Sequence, residues 1–186
     1  MQFHTGDNFD VEVAPTYERL DAPFPISRSI TLPMGAEYNV TRFAVRGGTA
    51  NRRVVSVSGR LETGGFYSGS RRVAALGVTA RLRPGYLVSF NSELNRVELD
   101  EGAFTTRLYR LVGEEQFSPW MALVNNIQYD SQSAVLGWQS RFRWILRPGN
   151  DLYFVYTHNW VDDPLRAQFV TLDKRLATKV VYTHRF

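Results

Sequence analysis

The chain contains no cysteine, which excludes a disulfide framework, cysteine-ligated zinc and thiol catalysis. It also lacks any long apolar run, so no segment approaches the roughly 20 apolar residues of a transmembrane helix. Lysine is scarce: Lys174 and Lys179 are the only two among 22 basic residues, so nearly every cation is an arginine. The net charge of +4 would suit nucleic acid only if the arginines formed one basic face. Instead Arg42, Arg60, Arg81, Arg107, Arg141 and Arg185 fall one or two per segment along the chain, and no nucleic-acid partner is expected. Residues 1–7 have neither the basic start nor the apolar stretch of a signal peptide, and read as an N-terminal tail. A membrane barrel without that leader is expected to be a mature chain, a truncated frame or the tail of a longer protein. No helix-period segment of useful length is present either.

What the chain does have is alternation. Counting back from Phe186, every second residue is His184, Tyr182, Val180, Thr178 and Leu176, while Arg185, Thr183, Val181, Lys179, Ala177 and Arg175 lie between them. One face is apolar and aromatic, the other carries cations, and the chain ends on an aromatic residue, as the closing strand of an outer-membrane barrel does. Similar segments recur between turn signals, and about ten strands are expected. They fall at residues 8–20, 37–46, 52–62, 71–82, 86–98, 104–114, 120–130 and 134–146, then after the 147–150 turn, then in the terminal stretch. The clearest sets Leu136, Trp138, Phe142, Trp144 and Leu146 against Gly137, Gln139, Arg141 and Arg143. Pro15 lacks an N–H donor and marks the first strand as an edge or a bulge. The expected fold class is all-β: an antiparallel up-and-down transmembrane β-barrel over 8–186, either closing on itself or forming part of a larger barrel.

Connection lengths orient it. Turns at 147–150, 114–119, 83–85 and 47–51 fall on one side, and the longer loops at 161–173, 98–102, 62–70 and 21–35 fall on the other, external side. Tyr86, Trp120, Trp144 and Phe186 then sit near the periplasmic interface and Trp160 near the outer one, as a membrane girdle. The opposite parity collects Glu12, Arg60, Arg81, Glu93, Arg141, Arg143, Lys179 and Arg185, an expected lumen charge network with Asp10, Glu18 and Glu62 close by in pattern. Buried ions of both signs need one another, because an unpaired one costs several kcal/mol.

Several stretches carry a resemblance: GFYSGSRR at 65–72, FTTRL at 104–108, FSP at 117–119 and NIQYD at 126–130. The strongest is LGWQSRFRWILRPGNDLYFVY at 136–156, followed by TLDKRL at 171–176 and the terminal strand. In these the chain resembles the outer-membrane proteins of unknown function that join an N-terminal carbohydrate-binding family 9-like domain to a C-terminal β-barrel. The resemblance implies the C-terminal portion of a longer protein whose glycan-binding-like domain lies upstream. It brings no catalytic motif that can be matched residue by residue, and no sugar-binding role for these residues.

The chemistry-bearing residues are each weighed against a structural role. His158 and His184 share the apolar parity and read as interfacial aromatics, since a metal wants further converging ligands. The carboxylates lack a nucleophile elbow, a metal motif or a phosphate loop beside them, and read as partners of the arginines. Phe66, Tyr67 and Trp160 form a candidate glycan-stacking platform set against girdle packing. Asp162, Asp163 and Asp173 are a weak candidate cation site. No residue earns a catalytic assignment, and no cofactor or metal is expected. The expected role is an anchoring or pore-forming module in the outer membrane of a Gram-negative bacterium. Its expected partners are the lipid bilayer, lipopolysaccharide, the barrel-assembly machinery through the C-terminal strand, and an upstream domain. The alternatives are a barrel-embedded hydrolase using the lumen charges and a soluble lectin-like β-sandwich.

Overall fold

In a computed structural model, residues 3–183 are described, and they form strands and turns with no helix. In chain order the strands are β1 (Asn8–Arg19), β2 (Phe24–Pro25), β3 (Thr31–Leu32), β4 (Glu37–Gly48), β5 (Val55–Phe66) and β6 (Gly69–Arg83). They continue with β7 (Tyr86–Leu99), β8 (Gly102–Ser118), β9 (Met121–Asp130), β10 (Val135–Arg147), β11 (Asn150–Asp163) and β12 (Gln168–Val181). Ten of them make one sheet in the order β1-β4-β5-β6-β7-β8-β9-β10-β11-β12, and β2 pairs with β3 separately. Among the described residues that order does not close into a ring. All-β architecture and antiparallel pairing therefore stand as expected.

Local chemistry explains the turns. Pro84-Gly85 and Pro148-Gly149 place proline where φ near −65° is wanted and glycine where φ is positive, at +77° and +88°. The Gln116 N–H donates to the Gly85 carbonyl at 2.7 Å and fixes the first of these tips. The hairpin ends at Tyr67, Ala134 and Ala167 instead put non-glycine residues at φ of 48°, 57° and 50°.

Three differences from the expected elements have physical causes. The loop expected at 161–173 is mostly strand, since β11 runs to Asp163 and β12 begins at Gln168. A bulge opposes Asn159 to Asp173 but Trp160 to Thr171, so Leu172 is an extra residue and the alternation changes phase there. The glycine-rich stretch expected as a loop at 62–70 is two strands meeting at a tight turn around Tyr67 and Ser68. Finally, the connection at 21–35 contains the β2–β3 pair, too short and proline-rich to alternate.

The chain forms two compact units, one holding β1 to β4 with Ser56–Gly77 and Ser92–Arg107, the other holding Val78–Asn91 and β9 to β12. In the first, Val11, Val45 and Leu61 share one row on the apolar face, while Glu12, Ala44 and Glu62 share the adjacent row on the polar face. Ala44, Val73 and Val97 are buried in the sheet of that unit, and a further hydrophobic cluster is built outside it. It is Leu20, Ile30 and Leu32 around the β2–β3 pair, with Ile26, Tyr38, Tyr67, Leu99 and Phe104 against it. Residues before β1 form a turn in which the Asp7 carboxylate accepts the Ala50 N–H at 2.8 Å. In the second unit β9 to β12 keep the same alternation, with Leu123, Phe142, Phe154 and Thr178 on one row of the apolar face.

Candidate functional site

Alternation dictates that each strand delivers its charges to one side, and pairing decides which charges meet. In the first unit Arg46 opposes Asp10 directly and reaches two of the three carboxylates of β1, Asp10 at 3.7 Å and Glu12 at 2.7 Å. Arg42 donates to the Thr16 hydroxyl at 3.3 Å and stands 4.0 Å from Glu62. Arg60 contacts Glu62 from two residues away on β5. Glu62, only 9% exposed, is thus a carboxylate held between two guanidinium groups.

In the second unit the polar face is richer in cations than in acids. Arg143 binds Asp151 at 3.0 Å and lies over the Tyr153 ring at 5.6 Å, while the Tyr153 hydroxyl donates to the same carboxylate. Arg81 borders a cavity of about 590 Å³ with Arg83 and Tyr86. Arg83 there pairs with Glu115 at 2.9 Å and stacks over Tyr86 at 5.3 Å. A second cavity, of about 310 Å³, is lined by Asn126, Gln128, Gly137, Gln139, Thr157 and Asn159. Asn159 donates to both oxygens of Asp173 at 3.0 Å, and Asn126 accepts from Arg110 at 2.8 Å.

The structure therefore splits the charge network expected from parity. Glu12 is joined to Arg46, Arg60 to Glu62, and Arg143 to Asp151. Glu93, Arg141 and Lys179 make no ion pair among the described residues, and Arg185 lies outside them. Arg42, Arg46 and Asp151 are the partners that parity alone leaves unnamed. Only strand register identifies them, and register depends on turn geometry as well as on the alternating pattern.

The apolar face carries aromatics at two levels in the second unit. Trp120 and Trp144 are exposed near the Pro-Gly turns, and Tyr86 follows one of those turns. Tyr109, Tyr129, Leu136 and Trp160 share a row near the other end, with the two tyrosines stacked at 6.5 Å. Phe186, the fifth expected girdle residue, lies outside the described residues.

One polar knot sits on this apolar face. His158 is buried beneath Trp160, stacked at 3.7 Å between centroids, and its ring nitrogens meet Thr171 at 3.0 Å and Tyr156 at 3.3 Å. Both imidazole nitrogens are engaged, so it is a satisfied histidine and not an open ligand. Trp160 is covered by that stack, and Phe66 packs edge-on against Tyr67 at 4.7 Å, so each aromatic of the expected stacking platform already has a ring partner. Among the described residues no three His, Asp or Glu side chains converge as a metal would require. Asp163 instead pairs with Arg166, and Asp173 with Asn159. No family model, curated protein or solved structure matches the chain.

Proposed function

We propose that this chain is a transmembrane β-barrel module of a Gram-negative outer membrane, with its apolar face against lipid and its charged face toward an aqueous lumen. One observation carries the reading: many large apolar side chains of the sheet are exposed while an ionic one is sheltered. Val11, Leu61 and Leu176 are 60%, 63% and 73% exposed, whereas Glu62 is 9% exposed. In water that arrangement forfeits about 1.5–3 kcal/mol for each large apolar side chain left uncovered. Contiguous exposed apolar surface of this kind marks contact with a membrane or a partner.

Dimensions agree. The strands of the main sheet run from 10 to 17 residues, and a tilted membrane strand needs about 9–11. Eight residues separate Trp144 from Leu136, the levels of the two aromatic rows. That is about 26 Å along the strand, or about 20 Å across a bilayer at the usual barrel tilt. On the other face, ion pairs such as Arg46–Glu12 keep charges compensated where a lumen is narrow.

The module anchors or forms a pore, and no residue carries catalysis. Lipid and lipopolysaccharide are its surroundings, and the barrel-assembly machinery reads its C-terminal strand. The resemblance of 136–156 to barrels with a carbohydrate-binding-like domain upstream supports the same placement. The deciding experiment is refolding in detergent micelles, followed by heat-modifiable gel mobility and far-UV circular dichroism. A β-species whose mobility changes only on boiling is expected. A monomer that folds and stays soluble without detergent overturns the membrane reading.

A further inference from the structure

We propose that the polar face of β9 to β12 carries a saccharide-binding subsite built from amide side chains around Gly137. It goes beyond the barrel reading and requires only that this face be wet.

Register assembles the subsite. Asn126, Gln139, Thr157 and Arg175 form one continuous row across four strands, and Gln128, Gly137, Asn159 and Asp173 form the next row on the same face. Adjacent same-face rows lie about 7 Å apart and four strands span about 14 Å, so the patch is a small polar rectangle. Its floor is Gly137. A Cβ there would stand 2.9 Å from Asn159 Oδ1, so the missing side chain is what lets the Asn159 amide lie across the floor of the 310 Å³ cavity.

The hydrogen-bonding groups are oriented and only partly used. Both Asp173 oxygens take the Asn159 amide N–H groups, which leaves Asn159 Oδ1 facing Gly137 as an acceptor. Arg110 holds Asn126 Oδ1, which leaves the Asn126 amide N–H groups as donors. Gln128, Gln139 and Thr157 make no side-chain hydrogen bond among the described residues, and each offers both a donor and an acceptor.

That mixture selects the ligand class. An inorganic anion would be drawn by Arg110 and Arg175, but it wants donors alone, and Asp173 and Asn159 Oδ1 interrupt the donor set. A metal ion wants converging acceptors, which are absent among the described residues. An apolar solute would strand the amides without water, at about 1–3 kcal/mol each. A polyhydroxylated solute fits, because every hydroxyl both donates and accepts.

The test is calorimetric titration of the folded chain with the neutral sugars maltotriose, chitotriose and mannotriose, beside sodium sulfate. An amine-oxide detergent is used because a maltoside detergent would itself present the sugar. At least one trisaccharide is expected to bind, and Gln139→Ala with Thr157→Ala to weaken it at least tenfold, about 1.4 kcal/mol. Gly137→Ala should weaken it through the floor, while Ser58→Ala on the other unit leaves it unchanged. Circular dichroism confirms that each variant is folded. Silence toward all three sugars at about 10 mM, a level that detects even millimolar Kd, overturns the proposal. So does sulfate binding that outcompetes them, or affinity indifferent to both variants. Should the chain fold without detergent, the barrel reading fails, and the same titration in plain buffer still judges the subsite.

Discussion

At the residue scale, Glu62 and Tyr67 make the sharpest statements. Glu62 is the one carboxylate between Arg42 and Arg60, so Glu62→Gln leaves two guanidinium groups facing a neutral amide. A loss of about 1–3 kcal/mol is expected, read as a shift in the denaturant midpoint. Glu12→Gln should lose less than about 1 kcal/mol, because its pair with Arg46 is about half exposed and Asp10 remains beside it. Tyr67 occupies a left-handed backbone position at a hairpin tip, a conformation that costs a bulky residue about 1–2 kcal/mol. Phe66, Tyr38 and Phe24 surround its ring and its hydroxyl donates to Glu18 at 3.1 Å, which holds it there. Burial, and then the Glu18 hydrogen bond, push its phenol above the usual tyrosine value of 10.0. The neutral phenol is the form the fold favours. Its contribution is therefore complete below pH 10 and is lost as pH rises through the raised value. Ultraviolet titration should place Tyr67 in a late-ionising class, and Tyr67→Phe should remove one phenol from that class while leaving the early class intact.

At the scale of elements, the two Pro-Gly tips encode their hairpins locally. Gly149→Val forces a β-branched residue to φ near +88° and should destabilise by about 1–2 kcal/mol or more, slowing refolding in a stopped-flow experiment. The small core at β2–β3 behaves differently. Leu32 is fully buried, and Leu32→Ala should cost about 2–5 kcal/mol. Its effect should appear as faster amide exchange at residues 20–36 and at the starts of β4 and β8, with β10 and β11 unaltered. These elements were unequally legible in the sequence. The period-2 pattern located all ten strands of the main sheet, because most of them carry apolar groups on one side between turn signals, although in β8 Arg107 and Glu115 interrupt that side. It missed β2 and β3, two residues each, and misjudged the start of β12, where the bulge at Leu172 breaks the phase. Among site residues, parity separated Glu12, Arg60 and Arg143 from the apolar positions of their own strands but could not pair them. The amide cluster around Gly137 went unnoticed because Gln128, Gln139 and Asn159 are charge-free and lie far apart in the chain. Their common parity across β9 to β11 was the signal available.

At the scale of the molecule, the membrane reading makes a depth prediction. In single-tryptophan variants, Trp120, Trp144 and Trp160 should each be quenched more by lipids brominated near the headgroup than near the chain end. Phe142→Trp in a background without other tryptophans should reverse that order, because Phe142 lies between the two aromatic levels. Equal quenching at all depths, or none, would remove the bilayer from the picture.

The strand order itself has a further consequence. From β4 to β12 every strand pairs with the next in sequence, and the one departure, β1 with β4, skips only the small β2–β3 pair. A chain built this way is additive: inserting or deleting a whole hairpin returns the backbone to the same place, direction and face parity. Gene duplication can therefore widen or narrow such a sheet two strands at a time without redesigning any existing pair, so sheet width is a property that evolution adjusts by counting.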